Sequence, residues 1–191
     1  MTDTQTAAKP VYSKPVIEQT LALNTLHAQR VVQRDFKRTM SALYRLDVIV
    51  RVVAGDDPAD QLDALVSERL NSLVTQLASE QARLTKLLSD NGIQGTLQYS
   101  APQSLTVNIT SPQVAQFVAI VRRLDDVIQQ VDALWLAGLL TNKQRNQATL
   151  HWQHEVQRIA REFVALASKV DDKSSGETLK TSEHSPTPAD D

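Results

Sequence analysis

Between residues 26 and 54, apolar side chains return every third or fourth position: Val32, Phe36, Met40, Leu43, Leu46, Val50 and Val53. A helix turns about 100° per residue, so this spacing collects them on one stripe. Thr25 stands at the N-cap position and Gly55 at the stop. Asp57-Pro58 then reads as cap and first helical residue of a second helix over 58–90. Leu62, Val66, Leu70, Leu73, Leu77, Leu84 and Leu87 make its stripe, and Asn91-Gly92 ends it. Ser111-Pro112 opens a third helix to about 140, striped by Phe117, Val121, Leu124, Ile128, Val131 and Trp135. Thr141 opens a fourth to about 170, striped by Trp152, Val156, Ile159, Phe163, Leu166 and Val170.

Two stretches carry a period of two instead. In 17–24, Leu21 and Leu23 share one parity, and Thr20, Ala22 and Asn24 the other, as in a half-buried strand. Short strands are also expected at 96–99 and 104–109, joined around Pro102. The strand at 17–24 has two pairings open to it: with 104–109 inside one chain, or with its own copy as an antiparallel ribbon shared by two subunits. The first fifteen residues are polar, with Pro10 and Pro15, and read as a mobile arm. Residues 172–191 lack apolar periodicity and read as a disordered tail. The fold class is mainly α, with four long amphipathic helices, a short N-terminal strand, and a small strand pair between helices 2 and 3. Residues 16–171 form one domain, since each amphipathic stripe needs partners.

Composition removes most chemistry from consideration. There is no cysteine, which excludes disulfides, thiolate nucleophiles and cysteine metal sites. The glycines never cluster as a phosphate-binding loop, and no serine sits in a nucleophile motif. His151-x-x-His154-Glu155 puts two histidines on one helix face but lacks the H-E-x-x-H order, so solvated histidines are the simpler reading. Asp125-Asp126 reads as a polar helix face, and Gly55-Asp56-Asp57 as capping. No enzyme activity, cofactor, metal or small-molecule substrate is expected. The first residues lack a basic segment leading into an apolar run, and no apolar stretch approaches a membrane span, so a cytoplasmic protein without membrane contact is expected.

Charge is unevenly spread along the chain. Residues 1–54 hold eight Lys/Arg against four Asp/Glu, while residues 55–93 hold three against seven. On the first helix, Arg30, Arg34, Lys37, Ser41 and Arg45 fall within roughly 80° of one another at 100° per residue, with Arg38 at the margin. Solvated helix faces usually mix signs, because like charges repel. A one-sign row fits a surface that meets phosphates.

The run Leu21-Ala22-Leu23-Asn24-Thr25-Leu26-His27-Ala28-Gln29-Arg30 resembles the L-x-L-x-T-x-H-A-x-R phrase that opens the AcaB-like family, regulators encoded by integrating conjugative elements and conjugative plasmids. The likeness extends over roughly 16–168, including Ala137-Gly138-Leu139-Leu140 before the last helix. It departs at Val31-Val32, where the family has a Leu-aromatic pair. The resemblance implies transcriptional regulation of transfer genes by a DNA-binding unit related to ribbon-helix-helix proteins. On that reading a homodimer binds double-stranded DNA. Thr20, Ala22 and Asn24 face the bases, while Thr25, His27 and Arg30 hold phosphates at the helix start. Arg34, Lys37, Arg38 and Arg45 then supply the flanking field. The alternative is a helical interaction or structural component without specific DNA binding.

Overall fold

A computed structural model of the chain describes residues 15–51 and 56–181. Residues 1–14, where a mobile arm is expected, lie outside them, as do 52–55 and 182–191. Four helices carry the fold: α1 over 26–51, α2 over Asp56–Asp90, α3 over Pro112–Leu136 and α4 over Asn142–Thr181. Two strands complete it, β1 (Ile17–Leu23) and β2 (Gln103–Ile109). The mainly α class with four long helices is as expected.

The core is the meeting of the four stripes. The second helix lies along α3, α3 along α4, and α1 packs into both α3 and α4. Leu70, Leu77 and Leu84 of α2, Leu124 and Ile128 of α3, and Val156 and Phe163 of α4 are fully or almost fully buried. Phe36 of α1 meets Phe117 of α3 with ring centroids 5.9 Å apart. A helix pair in which each member is apolar on one side can bury that side only against another helix, and α3 does so on nearly every turn.

The helix ends follow local chemistry. Ser111 accepts from the Val114 N–H, and Pro112 occupies the first turn, where its missing N–H costs nothing. Thr141 and Gln144 cap each other reciprocally: the Gln144 N–H donates to Thr141 Oγ1 and the Thr141 N–H to Gln144 Oε1. The third helix stops at Leu136 rather than near 140, because Gly138 adopts φ +76° and closes a Schellman turn. The Gly138 N–H reaches Trp135 O, and the Leu139 N–H reaches Leu134 O. Gly92, at φ +65°, ends α2 in the same way.

Three expectations need correction. The fourth helix continues past 170 into the expected tail, reaching Thr181. Losing the apolar stripe does not stop a helix, since each added residue still gains one backbone bond, and Pro186 is the first proline after 142. The segment 96–99 is not a strand. Its expected partner, β2, pairs instead with β1, in the register Ile17↔Ile109, Thr20↔Thr106, Leu23↔Gln103. The two-stranded ribbon is therefore built within one chain, and β1 is not left open on that edge for a second subunit. Tyr99 and Leu97 turn partly inward as loop residues.

The first helix also departs from a uniform wheel. Val32–Phe36 and Arg45–Ile49 are π turns. A wider i→i+5 turn inserts about one extra residue, so later positions fall back on the wheel. The buried series on α1 runs Ala28, Val31, Phe36, with a gap of five across the first π turn. Val31 takes the core place expected for Val32, which is only half-buried.

Candidate nucleic-acid interface

The ribbon has two unlike faces. Leu21, Leu23 and Val107 are buried and pack toward α3, as their parity requires. The outward pairs are Glu18 with Asn108, Thr20 with Thr106, and Ala22 with Ser104, and all six residues are exposed. Apart from the Ala22 methyl, each side chain can hydrogen-bond, and Glu18 also carries a charge. Thr20 and Ala22 thus lie on the outer face, as expected from sequence. Asn24 lies past the end of β1 and is half-buried.

Residues 24 and 25 make a corner between β1 and α1, and that corner is clamped from both sides. The buried Asp125 carboxylate accepts from the Asn24 N–H at 3.0 Å, the Thr25 N–H at 2.8 Å, the Thr25 hydroxyl at 2.7 Å and Gln129 Nε2 at 2.9 Å. On the other side Gln29 Nε2 donates to Leu23 O at 3.2 Å and Ala101 O at 2.9 Å, tying the corner to the loop before β2. Thr25 is 2% exposed and accepts from the Ala28 N–H as the N-cap. The position expected for a phosphate, at the positive end of the α1 dipole, holds a carboxylate of the protein itself.

Two expected phosphate ligands are consequently reassigned. Thr25 is a cap and a donor to Asp125, closed off from solvent. His27 is half-buried with Nδ1 2.7 Å from Gln153 Oε1. Burial holds its pKa below the ordinary imidazole value; the hydrogen bond to Gln153 opposes this, and the nearby Arg30 charge adds to it. A neutral, engaged imidazole is a poor phosphate ligand. Beside it, the buried Asp132 accepts from the Tyr99 hydroxyl at 2.9 Å and from Arg145 Nε at 2.6 Å. Burial and the Asp132 charge push the Tyr99 phenol above its ordinary range, which keeps it a donor.

The basic row on α1 does face water. Arg30, Arg34, Lys37, Arg38 and Ser41 are exposed, and among the described residues those four cations make no ion pair. The row ends sooner than expected: Arg45 falls in the second π turn and is half-buried. The row joins the ribbon through Gln33 Nε2, which reaches Gln103 Oε1 at 3.5 Å. Across the ribbon, the exposed Arg122 of α3 donates through Nη2 to Thr20 O at 3.5 Å.

Sequence reasoning missed Asp125, Gln29, Gln153 and Arg122. Asp125 gave no local sign, since a lone carboxylate beside a second one reads as helix surface. Its distance of 100 residues from Thr25 hides the contact. The outward residues of β2 could have been found from their alternation, since pairing of 104–109 with 17–24 was one of the two arrangements left open.

No family model matches the chain, and no curated protein matches it. Among solved structures, the chain is similar to the crystal structure of AcaB from uropathogenic E. coli: 37% of residues are identical, the match covers 93% of each chain, and the TM-score is 0.82. The chain belongs to the AcaB-like family. The fold is therefore that of an AcaB-like protein, and the phrase at 21–30 can be read on its geometry. Leu21, Leu23 and Ala28 fill the core, Thr25 and His27 lock the corner, and Arg30 alone among these six is exposed. Among the described residues, no helix is long and apolar enough to cross a membrane.

Proposed function

We propose that this AcaB-like protein is a sequence-specific double-stranded DNA-binding regulator of conjugation or element-transfer genes, acting as a homodimer. The observation that carries this reading is the exposed row Arg30, Arg34, Lys37 and Arg38, which makes no ion pair among the described residues, set beside an outward ribbon face of mostly small polar side chains. Four like charges on one face repel one another unless an anion meets them, and a duplex backbone presents phosphates at the required density. A two-stranded ribbon fits the major groove, where short donors and acceptors meet base edges. The arrangement is related to ribbon-helix-helix units, but with both ribbon strands supplied by one chain. A single small reading module contacts limited DNA surface, and pairing two of them extends the site.

A helical interaction component is the second reading, favoured by Leu136 and Leu139, which stand 64% and 45% exposed at the α3–α4 turn. Titration of the purified protein against transfer-gene promoter fragments and scrambled duplexes at several salt concentrations separates the two. The regulator reading expects salt-dependent, sequence-selective binding. Arg34→Ala should weaken all duplexes alike and lower the log–log salt slope by roughly one unit. Absence of any duplex binding, with a stable protein complex in its place, would favour the second reading.

A further inference from the structure

The outward face of the ribbon is shared equally between β1 and β2. We propose that the β2 residues Ser104, Thr106 and Asn108 are specificity-determining contacts to base edges, so that each subunit carries a complete ribbon for reading its own half of the duplex. The inference rests on the DNA-binding reading above and goes further by assigning half of the sequence recognition to a strand that begins 80 residues after the end of β1.

Ser104, Thr106 and Asn108 stand directly opposite Ala22, Thr20 and Glu18, and every one of the six is exposed. Directly opposed side chains on one ribbon face lie about 5 Å apart, so whatever reaches one column also reaches the other. Their chemistry is that of duplex recognition. Asn can bond adenine N6 and N7 together, Ser and Thr can donate or accept, the Ala methyl suits the thymine methyl, and Glu accepts from cytosine N4. None of the six is aromatic, so the face offers no stacking platform for unpaired bases, and single strands are a poor fit.

Charge around the face points the same way. Arg122 flanks the β1 edge beside Thr20. At the other end, Gln29 and Gln33 tie α1 to Ala101 and Gln103, which brings the segment bearing Arg30 and Arg34 to the start of β2. Cations thus border a face whose centre holds Thr20, Thr106, Ser104 and the Ala22 methyl, with the Glu18 carboxylate at one end; this is the layout expected where phosphates fix position and base edges carry the information. The corner clamp of Asp125 and Gln29 sets this face relative to α1, so the ribbon does not need a second subunit to complete it.

The test uses the full chain and a pool of duplexes with a randomised core. Selection with the parent defines its preferred site, and Ser104→Ala, Thr106→Val and Asn108→Ala are then titrated against that site and against scrambled duplex at several salt concentrations. Each variant should lose about 5- to 150-fold on the preferred site. Affinity for scrambled duplex and the salt slope should stay as in the parent. Asn108→Gln should alter the preferred bases in a fresh selection rather than abolish preference. Outward positions leave the core untouched, and a thermal midpoint equal to the parent's checks this. If the parent binds selectively while all β2 variants keep its site and affinity, the inference is wrong and the DNA-binding reading stands. If the parent binds no duplex at all, both fall.

Discussion

Replacing Asp125 with alanine tests whether the strand–helix corner is held as described. Four donors converge on this carboxylate, and two are backbone N–H groups, of Asn24 and Thr25, that cannot turn elsewhere without undoing the corner. A hydrogen bond to a charged group contributes about 1.5–3 kcal/mol, and such bonds do not add when they share an acceptor. Leaving the Asn24 and Thr25 N–H groups buried without an acceptor costs about 1–3 kcal/mol each, so the substitution should cost about 3–5 kcal/mol. For a chain of this length that is a fall in thermal midpoint of about 6–20 °C. Thr25→Ala, which loses the cap and one bond to Asp125, should cost about 2–3 kcal/mol. The double variant should cost less than the two single costs combined. Asp126→Asn is the control: its carboxyl makes none of these bonds and is already pushed above its ordinary range by burial and by the Asp125 charge. It should stay within about 0.5 kcal/mol of the parent. Thermal unfolding followed by circular dichroism and by Trp135 and Trp152 fluorescence measures all four. An Asp125→Ala variant within about 1 kcal/mol of the parent would refute the clamp.

Two further outcomes follow from other contacts. Because burial holds the His27 pKa below its unfolded value of about 6.5, the unfolded chain binds the extra proton first. Stability from this group is complete above about pH 6.5 and declines as pH falls toward the folded value; His27→Gln should flatten that decline in midpoints measured between about pH 8 and pH 5.5, and an unchanged slope would contradict it. The chain has no cysteine, so Thr20→Cys with Thr106→Cys should close a disulfide within one chain, stabilising it by about 4–5 kcal/mol through the long loop it closes. A covalent dimer on a non-reducing gel would instead mean that the ribbon is shared between subunits.

The helices were legible because their signals are local. A stripe at three and four, a Ser-Pro or Thr-x-x-Gln start and a glycine at the end are each complete within a few residues, and the structure places α2, α3 and the start of α4 close to where those signals put them. The π turns were not legible. The first leaves a gap of five in the buried apolar series, between Val31 and Phe36, which the adjacent Val31-Val32 pair conceals, and the second leaves none across Leu43, Leu46 and Val50. Strand pairing was open for a related reason. Alternation states which residues point inward, and Leu21, Leu23 and Val107 obey it, but alternation does not state the partner. That is settled by tertiary contact, since both strands pack on α3, which places 17–23 and 103–109 side by side.

The site shows how a motif rich in polar residues can mislead about function. Thr25, His27 and Arg30 at the start of a helix invite the same reading, three ligands for one anion at the positive end of a dipole. The anion is present, but it is Asp125, fixed by covalent attachment to α3 and buried to 2% exposure. A carboxylate there serves the helix end as a phosphate would, and by filling the place it keeps external phosphate out. Its attachment to another helix also converts a binding site into a joint, one that sets the angle between ribbon and helix. Arg30 escapes this role because it lies one turn on and outward, where it begins the exposed row. Burial therefore divides the motif: the polar residues that are covered make the corner rigid, and the exposed ones that remain, on α1 and on both strands of the ribbon, are where contact with another molecule is possible. A rigid joint matters to such a surface, since base edges are read only by side chains held in register with the cations that grip the backbone.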